Sequence, residues 1–238
     1  MSILYVVATP IGNLGDITYR AVEVLQSVDV IACEDTRHTQ NLLTHYNISK
    51  RLIATHAHNE ANSAKGIINL LEEGKNVAFV SDAGTPGVSD PGSRLVEAVR
   101  TAGFDVVPLP GASALTTLLS VAGYIGRSVH FEGFLSPKSG RRKKRLEELL
   151  NRDESFVFYE SPFRIVKVLE ELLTLAPQRR VVVGREMTKK FEEFLSGSLA
   201  EVLQTLKDRS AVKGEFAVLI GPSSAGAGDD NDQETEDA

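Results

Sequence analysis

A single cysteine, Cys33, occurs in the 238 residues, which excludes an intrachain disulfide framework and a multi-cysteine zinc site. No run of about 18 apolar residues is present to cross a membrane, and no basic segment leading into an apolar one opens the chain. Two nucleotide fingerprints are also missing. There is no G-x-G-x-x-G after the first apolar run and no G-x-x-x-x-G-K-[ST] anywhere, which counts against dinucleotide and P-loop chemistry. A cytoplasmic globular protein is expected, long enough for one large α/β domain or two smaller ones.

The net charge of −6 resides at one end. All six charged residues after Gly221 are acidic (Asp229, Asp230, Asp232, Glu234, Glu236 and Asp237), leaving 26 acids against 26 bases in the body. The body is formally neutral, so the acidity does not argue against an anionic partner. Residues 222–238, rich in glycine, serine and acid, cannot offset the entropy of ordering and are expected to form a disordered tail.

Apolar, β-branched runs alternate with segments of helical period. Strands are expected near Ile3 to Ala8, Asp29 to Cys33, Leu52 to Thr55, Asn76 to Ser81 and Asp105 to Pro108. Between them lie helices near Thr18 to Ser27, Thr39 to Tyr46, Asn62 to Glu73 and Ser93 to Ala102. Such alternation implies a mostly parallel sheet, whose ligands bind at the carboxyl ends of strands. After a helix near Ser113 to Ala122 the pattern changes. Strands are expected near Val129 to Glu132, Phe156 to Tyr159, Arg180 to Gly184, Glu193 to Leu195 and Glu215 to Ile220, with helices near Arg142 to Asn151, Pro162 to Leu175 and Leu199 to Lys207. The fold class is α/β in two domains, 1–112 with a mostly parallel sheet and 113–221 with a mixed one, followed by the tail.

The densest signal is Ser81-Asp-Ala-Gly-Thr-Pro-Gly-Val-Ser-Asp-Pro-Gly92, directly after an apolar strand. Glycines there let a ligand approach the backbone, prolines stiffen the turn, and Asp82 and Asp90 can hold hydroxyl or amino groups or cap turns. A small-molecule site is the reading. After the second strand comes Glu34-Asp-Thr-Arg37, where Asp35 can cap a helix and Arg37 can pair with an acid or meet an RNA phosphate. His56, His58 and Glu60 lack a companion ligand cluster, so no metal is expected. Cys33, ending an apolar strand, reads as a core thiol.

Lys138-Ser-Gly-Arg-Arg-Lys-Lys-Arg145 places bases where a helix begins, against its macrodipole. A solvated basic face is one reading. RNA contact through Lys138, Arg141, Arg142, Lys143, Lys144 and Arg145 is the one adopted, because it gives the charges a purpose. Arg185-Glu-Met-Thr-Lys189 follows another strand and is either a salt-bridged turn or part of a site.

Taken in order, Thr9-Pro-Ile-Gly-Asn-Leu-Gly-Asp16, Glu34-Asp-Thr-Arg-His38, His56-Ala-His-Asn-Glu60, the Ser81 to Gly92 loop, Pro110-Gly-Ala-Ser-Ala114, Phe158-Tyr-Glu-Ser-Pro-Phe-Arg164 and Arg185-Glu-Met-Thr-Lys189 closely resemble the 16S ribosomal RNA cytidine 2′-O-methyltransferase family. That family lies within the tetrapyrrole methylase superfamily of S-adenosylmethionine enzymes. The resemblance implies two α/β domains with the methyl donor in the cleft between them, usually in a homodimer. It implies donor contacts at Pro10, Asp82, Gly84, Thr85, Pro86, Gly87, Val88, Ser89, Ala112, Ser113, Tyr159, Lys213 and Gly214. Methylating a ribose hydroxyl requires its oxygen in line with the methyl and a path for the proton. Glu186, Lys189 and Glu160 are the candidates for orienting the ribose or taking that proton, and the sequence does not choose among them.

The function expected is methyl transfer to a decoding-centre cytidine of 16S rRNA on the small ribosomal subunit. Two rivals remain. One is a tetrapyrrole (precorrin-like) C-methyltransferase, against which the basic run and the Glu34 to His38 motif argue. The other is a noncatalytic RNA-binding assembly factor, against which the intact Gly84 to Ser89 and Arg185 to Lys189 motifs argue.

Overall fold

The computed structural model describes residues 2–55, 60–90, 92–152 and 154–223, with backbone alone at 60 and 61. His56, His58 and the acidic tail beyond Ser223, on which expectations were placed above, lie outside the described residues. The chain divides into two compact units between Thr116 and Thr117.

The first unit runs β1 (Ile3–Val7), α1 (Tyr19–Ser27), β2 (Val30–Cys33), α2 (Thr36–His45), β3 (Arg51–Ala54), α3 (Glu60–Glu72), β4 (Val77–Val80), α4 (Ser93–Thr101) and β5 (Asp105–Leu109). Its sheet has the order β3-β2-β4-β1-β5 with every pair parallel. Interior strands β2 and β4 are buried along their whole length, which is why they read as unbroken apolar runs. Pro108, which cannot donate to a ladder, sits on edge strand β5. One face of the sheet packs Val7, Ile31, Cys33 and Val80 against Leu25 of α1 and Leu43 of α2. The other packs Leu4, Ala32 and Phe79 against Ile67 of α3 and Leu95 and Val99 of α4. Helix α2 starts three residues before its expected position because Asp35 caps it, its Oδ1 accepting from the Arg37 amide at 2.8 Å.

Helix α5 (Ala114–Val121) spans the division. The second unit then runs β6 (Val129–Phe134), α6 (Ser139–Leu150), β7 (Ser155–Glu160), α7 (Ile165–Leu175), β8 (Arg180–Arg185), β9 (Glu193–Ser198), α8 (Leu199–Lys207) and β10 (Phe216–Ile220). The sheet order is β6-β7-β10-β8-β9; β6 and β7 are parallel and the remaining pairs antiparallel. This is the mixed sheet expected. Side chains alternate across it, so Phe156, Phe158, Val181, Val183, Phe216 and Val218 pack against α6, α7 and α8. On the opposite face the register aligns Tyr159, Ala217 and Gly184 in one row.

Candidate active site

At the carboxyl edge of the first sheet, neighbouring strands β1 and β4 lead to helices on opposite faces, α1 and α4. Their loops part there, where parallel sheets bind ligands. Three loops are laced together at this edge. Thr9 and Gly84 exchange backbone hydrogen bonds of 2.9 and 3.0 Å, the Thr9 hydroxyl donates to the Ser81 carbonyl at 3.2 Å, and the Thr85 hydroxyl donates to the Ala112 carbonyl at 3.2 Å. Pro10, Thr85 and Ala112, singled out from three separate motifs, therefore belong to one loop cluster. Gly87 holds a φ of +81°, and a Cβ added there would meet nothing nearer than the Ser93 nitrogen at 4.0 Å. The position demands glycine's backbone freedom yet leaves space for a ligand beside the main chain.

Three carboxylates line the adjoining ends of β2 and β4. Burial, and then the charges of Asp90 and Asp82, push the Glu34 carboxyl up to about 7. Its Oε1 is buried without a hydrogen-bond partner. Burial followed by Asp82 likewise raises Asp90. Asp82 itself accepts from the Asp35 amide at 3.1 Å and so ties the two loops. Arg37 is exposed and paired with Asp35 at 2.9 Å; its hydrogen bond is the main reason the Asp35 carboxyl falls to about 2.

In the second unit, β10 runs antiparallel to both β7 and β8, and Phe216 pairs with Glu160 on one side and Arg185 on the other. The ends of β7 and β8 and the start of β10 thus share one edge. Tyr159, the Arg185 to Lys189 turn and the Lys213 to Glu215 segment are gathered there. Glu186 and Thr188 hold left-handed φ values of +49° and +66°, a conformation costing about 1–3 kcal/mol per residue and persisting where surrounding bonds enforce it. Here the Glu186 amide donates to the Glu215 carbonyl at 3.0 Å and the Lys189 amide to the Glu186 carbonyl at 2.9 Å. Glu186 Oε1 accepts from the Glu215 amide and from Lys189 Nζ, both at 3.0 Å, and Lys189 Nζ also donates to Glu215 Oε2 at 2.7 Å. Gly214 is packed under this turn: a Cβ there would fall 2.5 Å from Glu186 Cγ.

These bonds set the charges. Burial opposes ionisation of Glu186, but the Glu215 amide and then Lys189 outweigh it and hold its carboxyl below the ordinary range. Burial likewise works against the Lys189 cation, and hydrogen bonds to Glu215 and Glu186 reverse it, so its pKa is raised. Glu186 is an anion and Lys189 a cation at neutral pH.

Two sequence expectations need correction. Glu160 continues the Phe156, Phe158 face and its side chain is fully buried. Its Oε1 accepts from the Ser161 amide and Arg164 Nε, each at 2.7 Å, so it anchors the turn after β7 instead of meeting a substrate. The basic run is also divided. Arg142 is 2% exposed and bonded to Glu171, while Arg145 pairs with Glu132 at 2.7 Å and Glu148 at 3.1 Å. The Arg142 guanidinium is thereby closed to a phosphate, whereas that of Arg145, 30% exposed, is engaged by two carboxylates. Lys138, Arg141, Lys143 and Lys144 remain exposed.

Residues 3–203 match the tetrapyrrole (corrin/porphyrin) methylases. The chain belongs to that family. A ribosomal RNA small subunit methyltransferase I from Vibrio cholerae is 50% identical over 92% of this chain and 76% of its own length. The Borrelia garinii protein of the same name is 47% identical over 93% of this chain and 100% of its own. The Bacillus subtilis one is 43% identical over 98% and 80%. Among solved structures, the methyltransferase CobJ superposes with a TM-score of 0.70 at 21% identity, covering 94% of this chain and 95% of its own. A cobalt precorrin-4 methyltransferase gives 0.67 at 17%, covering 92% and 94%. The latter two establish the fold alone. The resemblance read from the motifs is borne out.

In this methylase, sequence reasoning missed the coupling of Glu34 to Asp82 and Asp90. Both loops read from the sequence as strand ends, but that β2 and β4 are neighbours is a fact of strand order. Among the described residues no group of three His, Cys, Asp or Glu is arranged to hold a metal ion, and no helix is long and apolar enough to cross a membrane.

Proposed function

We propose that this chain transfers the methyl group of S-adenosylmethionine to the ribose 2′-hydroxyl of a cytidine in the decoding centre of 16S rRNA, in the cytoplasm and on the small ribosomal subunit. The observation that carries the reading is near-50% identity, over more than nine-tenths of the chain, to proteins named ribosomal RNA small subunit methyltransferase I. The donor supplies an electrophilic methyl on a sulfonium. Pro10, Asp82, Gly84 to Ser89, Ala112 and Ser113 hold it, chiefly through backbone groups, and the space beside Gly87 fits such an approach. Tyr159, Lys213 and Gly214 add donor contacts from the second unit.

Glu186 and Lys189 serve the acceptor. An ionised carboxylate would accept the hydrogen bond of the ribose hydroxyl, fix its direction and take its proton, and the ammonium would favour the negative charge that this proton loss gives the oxygen. The enzyme acts as a homodimer. Likeness to a cobalt precorrin-4 methyltransferase lies at 17% identity and concerns the fold, so it does not favour a tetrapyrrole substrate.

The test incubates the protein and labelled donor with small subunits lacking the modification, with naked 16S rRNA and with a precorrin, then maps label by nuclease digestion and mass spectrometry. Ribose label on one cytidine of the small subunit is expected. Label on a base or a tetrapyrrole overturns the reading, and donor binding without transfer makes the protein an assembly factor.

A further inference from the structure

Two phenylalanines stand in solvent at one end of the second sheet. Phe134 ends β6 and is 60% exposed; Phe163, in the turn after β7, is 95% exposed. Single exposed apolar residues are ordinary, but two aromatic rings on adjoining strand ends are not. The two loops are joined, because Arg164 Nη1 donates to the Leu135 carbonyl at 3.4 Å, and Tyr159 packs edge-on against both Phe134 and Phe131, at 5.7 and 5.0 Å between ring centres. Five residues beyond Phe134 the basic helix α6 begins. Arg142 bonds the Ser136 and Pro137 carbonyls, each at 3.2 Å, and Glu171. That bracket holds the first turn of α6 against the strand end. Lys138, Arg141 and Lys144 are exposed and form no ion pair among the described residues.

We propose that Phe134 and Phe163 are a stacking platform for unpaired nucleobases, with Lys138, Arg141 and Lys144 on the flanking phosphates. Rings at the strand ends and cations on the helix that follows them suit single-stranded nucleic acid, whose bases offer π-faces and whose backbone offers regularly spaced charge along its length. A second copy of this chain, the other occupant an apolar patch could take, would bring the same basic helix toward itself or leave it unused. The proposal rests on the rRNA reading above, and extends it by assigning the binding surface to aromatic contact as well as charge.

The experiment measures binding of wild type and of Phe134→Leu, Phe163→Leu and Phe163→Tyr to a mixed-sequence single-stranded RNA oligonucleotide, with light scattering of each protein and methyl transfer to unmodified small subunits. Each Leu variant should bind about five- to hundredfold more weakly, the loss of one base stack, while Phe163→Tyr keeps affinity. The salt dependence should be unchanged in the Phe variants and reduced in Lys144→Gln. Equal affinity and equal kcat/KM for the Leu variants overturns the platform. A Leu variant that changes the oligomeric state also overturns it, making the patch an interface between copies. Failure of wild type to methylate rRNA instead removes the functional reading, a separate result, since the binding measurement does not use it.

Discussion

Arg142 and Glu171 form a bidentate ion pair, Nε to Oε2 at 2.8 Å and Nη2 to Oε1 at 2.7 Å, with the arginine side chain 3% exposed. An arginine in the middle of a basic run thus belongs to the interior. Removing it would leave the Glu171 carboxylate without its main partner and two carbonyls without a donor. Arg142→Met should destabilise the protein by about 3 kcal/mol, the range for one lost member of a buried pair, read by urea denaturation. Lys144→Gln should stay within about 0.5 kcal/mol of wild type, as exposed substitutions do. Equal effects would mean that the run is uniformly solvated.

The same pair carries a pH dependence. The Arg142 hydrogen bond is the first cause that lowers Glu171, so the stability it contributes is present above the ordinary carboxylate pKa and lost as pH falls through the lowered one. Glu34 has the opposite sign. Its carboxyl is raised to about 7 by burial and then by Asp90 and Asp82, so stability present below the ordinary value of 4.5 is lost as pH rises through 7. Glu34→Gln should therefore match wild type in thermal melting near pH 4 and exceed it at pH 8. A shift of equal size at both pH values would show that charge at Glu34 is not the cause.

Much of this was legible in the chain. Unbroken runs such as Val30–Cys33 and Val77–Val80 could only be buried strands, and the loops after them marked the carboxyl edge. Strand order was not legible, because the pairing of β4 with both β1 and β2 is decided by packing between distant segments. The fate of Arg142 was hidden by the expected helix start at Arg142 itself. With α6 beginning at Ser139, Arg142 lies four residues before buried Leu146 and on its face. Glu160 was readable throughout, since a period of two from Phe156 and Phe158 puts it on the buried side.

Gly87 separates ligand contact from folding. A Cβ there meets nothing nearer than the Ser93 nitrogen at 4.0 Å, so Gly87→Val should fold at little more than the cost of a left-handed backbone, about 1–2 kcal/mol. A branched side chain would nevertheless occupy the space proposed for the donor. Affinity for S-adenosylmethionine, measured by calorimetry, should drop about tenfold or more; unchanged affinity would remove this turn from the donor site.

Lys189 offers the corresponding test of the acceptor side. Its ammonium bonds Glu186 and Glu215 at 3.0 and 2.7 Å and helps keep the Glu186 carboxyl low. In Lys189→Met the cation and its share of that lowering are lost, while the Glu215 amide keeps its own. Methyl transfer should slow by about a hundredfold, the scale for losing one group that stabilises charge on a reacting oxygen. The acid limb of the rate profile should move up toward the ordinary Glu range, because Glu186 would then be protonated at higher pH. Lys189→Arg, which keeps the cation, should recover part of the rate and the original limb. A purely structural salt bridge predicts otherwise: the Met variant would lose stability and keep both the rate per folded molecule and the pH profile of wild type.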